Sequence, residues 1–273
     1  MQNPTEHAVT RVRHELKRRL LTVKQVTRVT PHLLRVTLTG DDLADFVSAS
    51  FDDHVKVFFP APGEAAPTLP KLGPNGVVFA EDAPKPIMRD FTPRRYDREA
   101  RELDLEFVLH HPGPASQWAE HVAVGQTLAI GGPRGSFVVP TAFDWHLLIG
   151  DDTALPAVAR RLLELPAGTR ATVVLEVADE SAKLELETAA DLQIIWRYRN
   201  DPAAASQDTQ LVAALQDLPL PASDGYVWAA GEAAAMRAVR RHLCEERGVH
   251  KSRIRASAYW KRGATGVHEA IDD

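Results

Sequence analysis

The chain has 273 residues, of which 44% are apolar and 25% charged, and it carries a formal net charge of -5. At roughly 150 residues per domain this composition indicates a globular protein of about two domains and excludes a disordered or fibrous chain. Cys244 is the single cysteine, which excludes a disulfide, a zinc ribbon, an all-cysteine iron–sulfur cluster and a Cys-x-x-Cys redox pair within one chain.

The N-terminal segment and the hydropathy pattern predict a cytoplasmic protein that does not enter the membrane. Charged residues stand where a signal peptide would need its apolar stretch, and no run of about 18 apolar residues occurs. The acidic charge balance gives no general signal for nucleic acid. The basic cluster between Arg11 and Arg19 is interpreted as a solvated face, with contact to an acidic partner as the alternative. We expect a monomer, because the sequence shows no long helical tail or apolar patch.

The first half of the chain is rich in short β-type runs separated by turns. The predicted strands are Leu20–Thr30, Leu33–Thr39, His54–Phe59, Leu103–Leu109 and Gln126–Gly131. The proline-rich stretch 61–86 is expected to be a long surface excursion. Leu103–Leu109 alternates apolar with polar residues, which predicts a strand with one buried face. This pattern favours a small antiparallel β-barrel over residues 1–140.

After Pro140, short buried-type runs alternate with helical segments. The predicted strands are His146–Ile149, Ala171–Val177, Leu192–Trp196, Tyr226–Ala229 and Ile254–Ala258, and the predicted helices are Leu155–Leu165, Thr209–Leu218 and Glu232–Arg247. Such alternation predicts a doubly wound, mostly parallel sheet with helices on both faces over residues 141–273. Sheets of this kind bind nucleotides at the carboxyl ends of their strands.

The sequence RDFTPR follows the proline-rich stretch and combines two arginines with an aromatic ring and a hydroxyl. In a strand, Arg89 and Phe91 share one face and Thr92 and Arg94 the other, unless Pro93 bends the chain. A planar ring can stack on Phe91, Thr92 can bond a ring nitrogen, and the guanidinium groups can bind phosphate. The alternative is an edge strand with solvated arginines.

About twenty residues later, the sequence GPASQWA is predicted to open a short helix with Ser116 as its N-cap. Small residues there let backbone amides approach an anion such as pyrophosphate. A plain loop with a capped helix is the alternative. Together with RDFTPR, this segment would serve one phosphate-bearing aromatic ligand. The glycines of the turn Gly131–Ser136 serve either the chain reversal or ligand contact.

Two turns in the second half are of the nucleotide-binding kind. The strand His146–Ile149 runs into the sequence GDDTALPA and then into a helix, and the turn Ala230–Glu232 follows another buried strand. The dinucleotide fingerprint of three glycines is absent. Both turns are therefore either nucleotide contacts or merely tight connections.

These residues together resemble the siderophore-interacting proteins, the flavin-dependent ferric-siderophore reductases of the ferredoxin-reductase superfamily. The resemblance extends from about Leu20 to Gly263 and rests on a set of ordered motifs. They are DDHVKVFFP (Asp52–Pro60), RDFTPR (Arg89–Arg94), FVLH and GPASQWA (Phe107–Ala119), GPRGSF (Gly132–Phe137), GDDTALPA (Gly150–Ala157), WAAGE (Trp228–Glu232) and YWKRG (Tyr259–Gly263). Several motifs in order are far more specific than any one.

The resemblance implies a six-stranded-type antiparallel barrel that binds FAD, over residues 1–140. An NAD(P)H-binding α/β domain with a substrate-contacting C-terminal segment would follow, over residues 141–273. The family motif Arg-x-Tyr-Thr-x-Arg is met here except at Phe91, which keeps the aromatic face and lacks the phenol hydroxyl.

By the same resemblance, particular positions would contact each ligand. Those for FAD are Arg89, Phe91, Thr92, Arg94, His110, Gly113, Pro114, Ala115, Ser116 and Trp118, with Thr153 and Ala154 where nicotinamide and flavin meet. Those for the nicotinamide nucleotide are Gly150, Asp151, Ala230, Gly231 and Glu232. A basic triad of Lys56, Lys261 and Arg262 would bind the ferric siderophore, since multiply anionic chelates need a local positive pocket on an acidic protein.

The implied reaction transfers a hydride from NADPH or NADH to FAD and then single electrons to chelated Fe(III), which releases Fe(II). No catalytic acid, base or nucleophile beyond the flavin and no resident metal are expected. The alternatives are a reductase that serves another electron acceptor and a non-catalytic siderophore-binding protein. The choice of NADH or NADPH stays open, because Glu176, Asp179 and Glu180 suit a ribose hydroxyl whereas Arg197 and Arg199 suit a 2′-phosphate. The identity of the siderophore is open as well.

Overall fold

A computed structural model describes residues 7–61, 64, 67, 69, 71–73, 76–78, 86–109, 113–201, 207–264, 266 and 268–271. The chain separates into two compact units. The β unit is Val9–Val139. The α/β unit is Pro140–Asp273 together with His7 and Ala8.

The described part of the β unit consists of short strands, one α-helix and one short 3₁₀-helix. They are β1 (Thr10–Arg13), β2 (Arg18–Thr30), β3 (Leu33–Thr39), the 3₁₀-helix Asp41–Leu43, β4 (Val55–Phe59), β5 (Lys71–Gly73), β6 (Gly76–Val78), β7 (Ile87–Phe91), β8 (Arg95–Asp97), β9 (Glu102–Val108), α1 (Pro114–His121), β10 (Thr127–Gly131) and β11 (Gly135–Val138). Leucine, β-branched and aromatic residues together make up more than half of the long strands β2, β3 and β9, as the pleated, half-buried surface of a sheet favours.

Seven of these strands form one antiparallel sheet, in the order β7-β4-β10-β2-β3-β9-β8. The rings of Phe91 on β7 and Phe107 on β9 lie 4.4 Å apart, although four strands separate β7 from β9 in the sheet. The sheet is therefore curled, and it encloses a core of alternate side chains such as Val23, Val36 and Leu105. This sheet has seven strands, whereas a six-stranded type of barrel was predicted.

Two small ribbons accompany this sheet. β5 pairs with β6 inside the proline-rich stretch that was predicted as a long surface excursion. β1 pairs with β11, and a Cβ on Gly135 would lie 2.7 Å from the carbonyl oxygen of Val12. In the turn Gly131–Ser136, Gly135 thus serves strand pairing.

The second face of β9 is also covered, which corrects the prediction of a strand with one buried face. Asp104 and Glu106 are both buried. Thr37 donates to Asp104 at 2.7 Å, and Arg35 donates to Glu106 at 2.6 Å. Both donors stand directly opposite on β3. Partners supplied by the register allow these carboxylates to be buried.

The described part of the α/β unit alternates strands and helices. They are β12 (Trp145–Asp151), the 3₁₀-helix Asp152–Ala154, α2 (Leu155–Glu164), β13 (Arg170–Val177), the 3₁₀-helix Glu180–Ala182, β14 (Asp191–Tyr198), α3 (Gln207–Gln216), β15 (Gly225–Glu232), α4 (Ala233–Arg241), the π-helical turn His242–Glu246, the 3₁₀-helix Lys251–Arg253, β16 (Ile254–Trp260) and β17 (Glu269–Ala270). The helix predicted over Glu232–Arg247 is thus α4 plus one π-helical turn.

The sheet of this unit has the order β14-β13-β12-β15-β16-β17, with only β17 antiparallel to its neighbour. The chain moves outward from β12 to β14 and then returns to the other side with β15, which is the doubly wound arrangement. Leu147 and Ile149 pack with α3 and α4 in one core cluster that contains no residue of α2. The helices therefore cover both faces, and β12 and β15 flank the point where the strand order reverses. None of the described helices is long and apolar enough to span a membrane.

His146 on β12 is a buried imidazole, only 2% exposed. Its Nε2 has no hydrogen-bond partner in the described part of the chain. Burial, reinforced by the positive charge of Arg161, lowers the pKa of His146 to about 3. The folded protein therefore holds this side chain in its neutral form.

We expect His146 to make the free energy of unfolding fall as the pH is lowered from about 6.5 towards 3, because only the unfolded chain binds a proton there. At about 1.4 kcal/mol per pKa unit, lowering the pH from about 6.5 to about 5 should cost roughly 2 kcal/mol. His146→Phe should remove this part of the pH dependence in urea unfolding measurements. The control His250→Asn, at an exposed histidine of the same unit, should keep it. An unchanged pH dependence in His146→Phe would contradict the assignment.

Candidate functional site

Aromatic rings join two of the predicted ligand segments within the β unit. Phe91 of the RDFTPR sequence lies 4.4 Å from Phe107, and Trp118 on α1 lies 5.4 Å from the same ring. Phe59 on β4 lies 5.7 Å from Trp118. The strand that carries Arg89 and the helix that begins after Gly113 therefore pack against the same two rings, Phe59 and Phe107, although about twenty residues separate them in sequence.

Arg89 and Thr92 keep hydrogen-bonding capacity for a ligand. The only hydrogen bond of the Arg89 side chain within the described residues runs to the carbonyl oxygen of Met88, at 2.8 Å. Thr92 is 7% exposed, and among the same residues its hydroxyl has no hydrogen-bond partner. β7 ends at Phe91, so Thr92 and Arg94 lie in the connection before β8 and not on the strand. Pro93 cannot continue the ladder, which accounts for that end.

The start of α1 has no side-chain cap within the described residues. Gly113 is the N-cap and Pro114 is the first helical residue. Ser116 lies inside the first turn, where its hydroxyl donates to the carbonyl oxygen of Gly113 at 3.0 Å. The prediction of Ser116 as N-cap was therefore wrong, because Pro114 with its fixed φ starts the helix earlier.

Gly113 is not crowded by the described residues at this helix end. A Cβ on Gly113 would meet no atom within 4 Å. An arginine, a free hydroxyl and an uncapped helix start are the donors that phosphate oxygens and a flavin ring accept from. The described residues of the β unit thus fit the predicted FAD. His110, predicted as a further contact, lies outside the described residues.

Lys56, a predicted siderophore contact, is paired with a carboxylate that sequence analysis missed. Its ammonium group donates to both oxygens of Asp90, at 2.8 and 3.0 Å. Asp90 stands opposite Lys56 in the pairing of β4 with β7, while Arg89 stands opposite the buried Val57. Lys56 therefore lies on the other face of this strand pair from Arg89, and its charge is partly balanced. Only the register between the two strands reveals this partner.

In the α/β unit, the two predicted nucleotide turns meet at the reversal point of the sheet. A Cβ on Gly150 would lie 2.5 Å from both the Ala154 side chain and the carbonyl oxygen of Ala230. Ala154 and Ala230 are themselves fully buried. Small residues at these three positions therefore allow β12, β15 and the following turn to pack closely. Thr153, the fourth residue of this turn, is half-buried.

Asp151 is the hydrogen-bonding centre of this edge. One carboxylate oxygen accepts from the backbone N–H and hydroxyl of Thr153, at 2.9 and 2.5 Å. The other accepts from the backbone N–H of Glu232 at 2.9 Å and from the indole of Trp260 at 2.8 Å. Burial raises the pKa of the Asp151 carboxyl and so does nearby Asp152, while the bonds from Thr153 and Trp260 act in the opposite direction.

Glu232 links α4 to the C-terminal segment. As the N-cap of α4 it accepts from the backbone N–H groups of Ala234 and Ala235. Its other oxygen accepts from the backbone N–H of Arg262 at 3.1 Å. Lys261 and Arg262, the two predicted siderophore contacts in this unit, are exposed and directly follow β16.

The acidic and basic residues that suggested opposite nucleotide preferences bind each other. Arg199 donates to Glu176 at 3.1 Å and to Asp152 at 3.1 Å, and all three side chains are largely buried. Desolvation is the main cause that raises the pKa of Glu176. Neither Glu176 nor Arg199 therefore stands open as a selector of ribose hydroxyl or 2′-phosphate.

Comparisons with known proteins cover both units. Residues 143–263 match the family model described as siderophore-interacting protein, and residues 22–137 match the siderophore-interacting FAD-binding domain. The NADPH-dependent ferric-chelate reductase of Escherichia coli K12 is 34% identical over 94% of this chain and 98% of its own. The ferric vibriobactin reductase ViuB of Vibrio cholerae is 36% identical over 90% of each chain.

A solved structure shows the same fold. The crystal structure of a siderophore utilization protein from T. fusca superimposes with a TM-score of 0.87 at 39% identity. It covers 95% of this chain and 98% of that one. The likeness therefore extends through the curled antiparallel sheet and the sheet with helices on both faces.

Gly231→Ala should destabilise the α/β unit by roughly 2–4 kcal/mol. Gly231 has a φ of +155°, and a Cβ there would lie 2.6 Å from a carboxylate oxygen of Asp151. Urea unfolding measures the effect. The control Gly113→Ala, where a Cβ meets nothing and φ is extended, should change stability by less than about 0.5 kcal/mol. Equal stability of the two variants would show that the Asp151 turn tolerates the added atom.

Proposed function

Because this chain belongs to the siderophore-interacting protein family, we propose that it is an NADPH-dependent reductase of ferric siderophores that contains FAD. The supporting observation is a likeness of 34% identity to a ferric-chelate reductase through 94% of this chain, which includes both units. We assign FAD to the β unit and the nicotinamide nucleotide to the α/β unit. A monomeric state and a cytoplasmic location stay predictions from the sequence.

Bound FAD supplies the conversion of hydride transfer into single-electron transfer, so that NADPH and two chelated Fe(III) give NADP⁺, a proton and two Fe(II). Arg89 and the uncapped start of α1 bind the phosphates, and the Thr92 hydroxyl bonds the flavin ring. The half-buried ring of Phe91 supplies an apolar surface beside them. The residues of this chain therefore contribute to the reaction by positioning the ligands and by supplying charge.

The cations proposed to hold the substrate are Lys56 in the β unit and Lys261 and Arg262 in the α/β unit. Exposed cations attract ferric siderophore complexes with several negative charges, although the whole chain is acidic. Hard oxygen ligands hold Fe(II) less tightly than Fe(III), so reduction releases the metal.

An anaerobic absorption experiment tests the function. Purified protein loaded with FAD should bleach with NADPH and recover its flavin spectrum when a ferric siderophore is added. Recovery only with a soluble dye would favour a reductase for another acceptor. A protein that does not bind FAD at all would favour a non-catalytic siderophore-binding protein.

Arg89→Ala should lower FAD occupancy by about tenfold or more, because a charged donor to phosphate is lost. The bound flavin per chain, measured by absorbance after gel filtration, is the readout. Arg98→Ala is the matched control, since Arg98 is an exposed arginine in the turn after β8. Full flavin occupancy in Arg89→Ala would contradict the placement of the phosphate contact.

Lys261→Glu should raise the KM for an anionic ferric siderophore by about tenfold, since one attractive unit charge is replaced by one repulsive unit charge. Reduction of an uncharged dye should be unaffected. The matched control is Lys251→Glu, an exposed lysine just before β16 and thus at the opposite end of that strand. Equal siderophore kinetics in both variants would remove Lys261 from the substrate site.

A further inference from the structure

The segment that carries Lys261 and Arg262 leaves β16 through an irregularity in strand pairing. Gly231 on β15 pairs with Ala258, but Glu232 pairs with Trp260, so Tyr259 has no opposite residue. Such a bulge re-aims the following side chain, and bulges are common next to functional sites. Here the residue that follows is Trp260, whose indole reaches the end of β12.

The indole of Trp260 is held by the buried carboxylate of Asp151. The indole N–H donates to Asp151 at 2.8 Å. With the two bonds from Thr153 and the one from Glu232, four donors converge on Asp151. A carboxylate offers about four acceptor positions. Asp151 is only 4% exposed, so it has almost no exposed surface and no acceptor capacity left for a nucleotide.

A second carboxylate holds the same segment two residues later. Glu232 accepts from the backbone N–H of Arg262 at 3.1 Å, while its other oxygen caps α4. Lys261 lies between the two attachment points, the indole of Trp260 and the backbone of Arg262. The side chains of Lys261 and Arg262 are exposed. The backbone that carries these two exposed cations is thus anchored on both sides of Lys261.

We propose that Asp151 and Glu232 are positioning residues for the ferric chelate, which fix the segment Trp260–Arg262 so that its two cations are presented together. Their carboxylates do not bind the nicotinamide nucleotide. The inference rests on the proposed function and adds residues that act on its substrate through others. A segment that is already fixed loses less conformational entropy when an anion binds, so the anchoring strengthens chelate binding.

The first test removes one anchor and keeps the ring. Trp260→Phe loses the indole N–H, and its affinity for ferric tris-catecholate should fall by about tenfold, as expected when a hydrogen bond to a charged group is lost. Titration of the oxidised, FAD-loaded protein measures this affinity without turnover. The rate and KM of flavin bleaching by NADPH should stay within about twofold.

A matched control distinguishes the anchor from a general effect of losing an indole. Trp145→Phe removes the indole hydrogen bond to the carbonyl oxygen of Ser223, 2.9 Å long, at the opposite end of β12. It should change neither chelate affinity nor NADPH kinetics. Asp151→Asn is a second variant that weakens the anchor, because the NH₂ group of the amide is a donor and cannot accept the hydrogen bonds that a carboxylate oxygen accepts. It should weaken chelate binding at least as much as Trp260→Phe.

A double-mutant cycle decides between positioning and a merely structural role. In a chain that already carries Lys261→Ala and Arg262→Ala, Trp260→Phe should have no further effect on chelate affinity. The same loss in that background would overturn the inference. A raised KM for NADPH with unchanged chelate affinity in Trp260→Phe would also overturn it, since the anchor would then serve the nucleotide.

A separate experiment tests the proposed reductase function. If the NADPH-bleached natural chain does not recover its flavin spectrum with ferric tris-catecholate or a ferric siderophore, the reductase proposal is wrong. The binding cycle uses the oxidised protein and still decides whether Asp151 and Glu232 position the cationic segment.

Discussion

The buried carboxylate of Asp151 is the constraint on which the carboxyl edge of the parallel sheet depends. It accepts hydrogen bonds from Thr153 on the turn after β12, from the backbone of Glu232 on β15 and from Trp260 on β16. A Cβ at position 231 would clash with this carboxylate, so the position accommodates glycine only. A charge removed from water requires such complete pairing. Three strand ends are thereby held in one arrangement.

In the β unit, an aromatic cluster has a comparable role. Phe91, Phe107 and Trp118 come from β7, β9 and α1, and their contacts close the curl of the sheet. They also hold β7, which carries Arg89, and α1 against one apolar cluster, and both elements supply donors for an anion. Aromatic burial therefore supplies stability and brings together groups that a phosphate-bearing ligand needs.

Sequence patterns predicted the elements better than the partners of polar groups. Leu33–Thr39 was predicted as a strand and has those bounds in the structure, and the five parallel strands of the second sheet follow the predicted runs. The burial of Asp104 was missed, since its donor Thr37 stands on a neighbouring strand. The N-cap at Ser116 was wrong because Pro114 starts the helix first. The pairing of Asp90 with Lys56 was missed for the same reason as the burial of Asp104, since Lys56 stands on the neighbouring strand.

The sequence by itself determined the family, the two kinds of sheet and the residue types that suit a flavin, a nucleotide and an anionic chelate. Periodicity and ordered motifs are local properties, and a single chain displays them directly. Only the tertiary structure decided that Asp151 faces Trp260, which is 109 residues away, and that Glu176 and Arg199 neutralise each other. Strand order, register and one bulge determine these buried pairs, because they determine which donors and acceptors lie within hydrogen-bonding distance of each other.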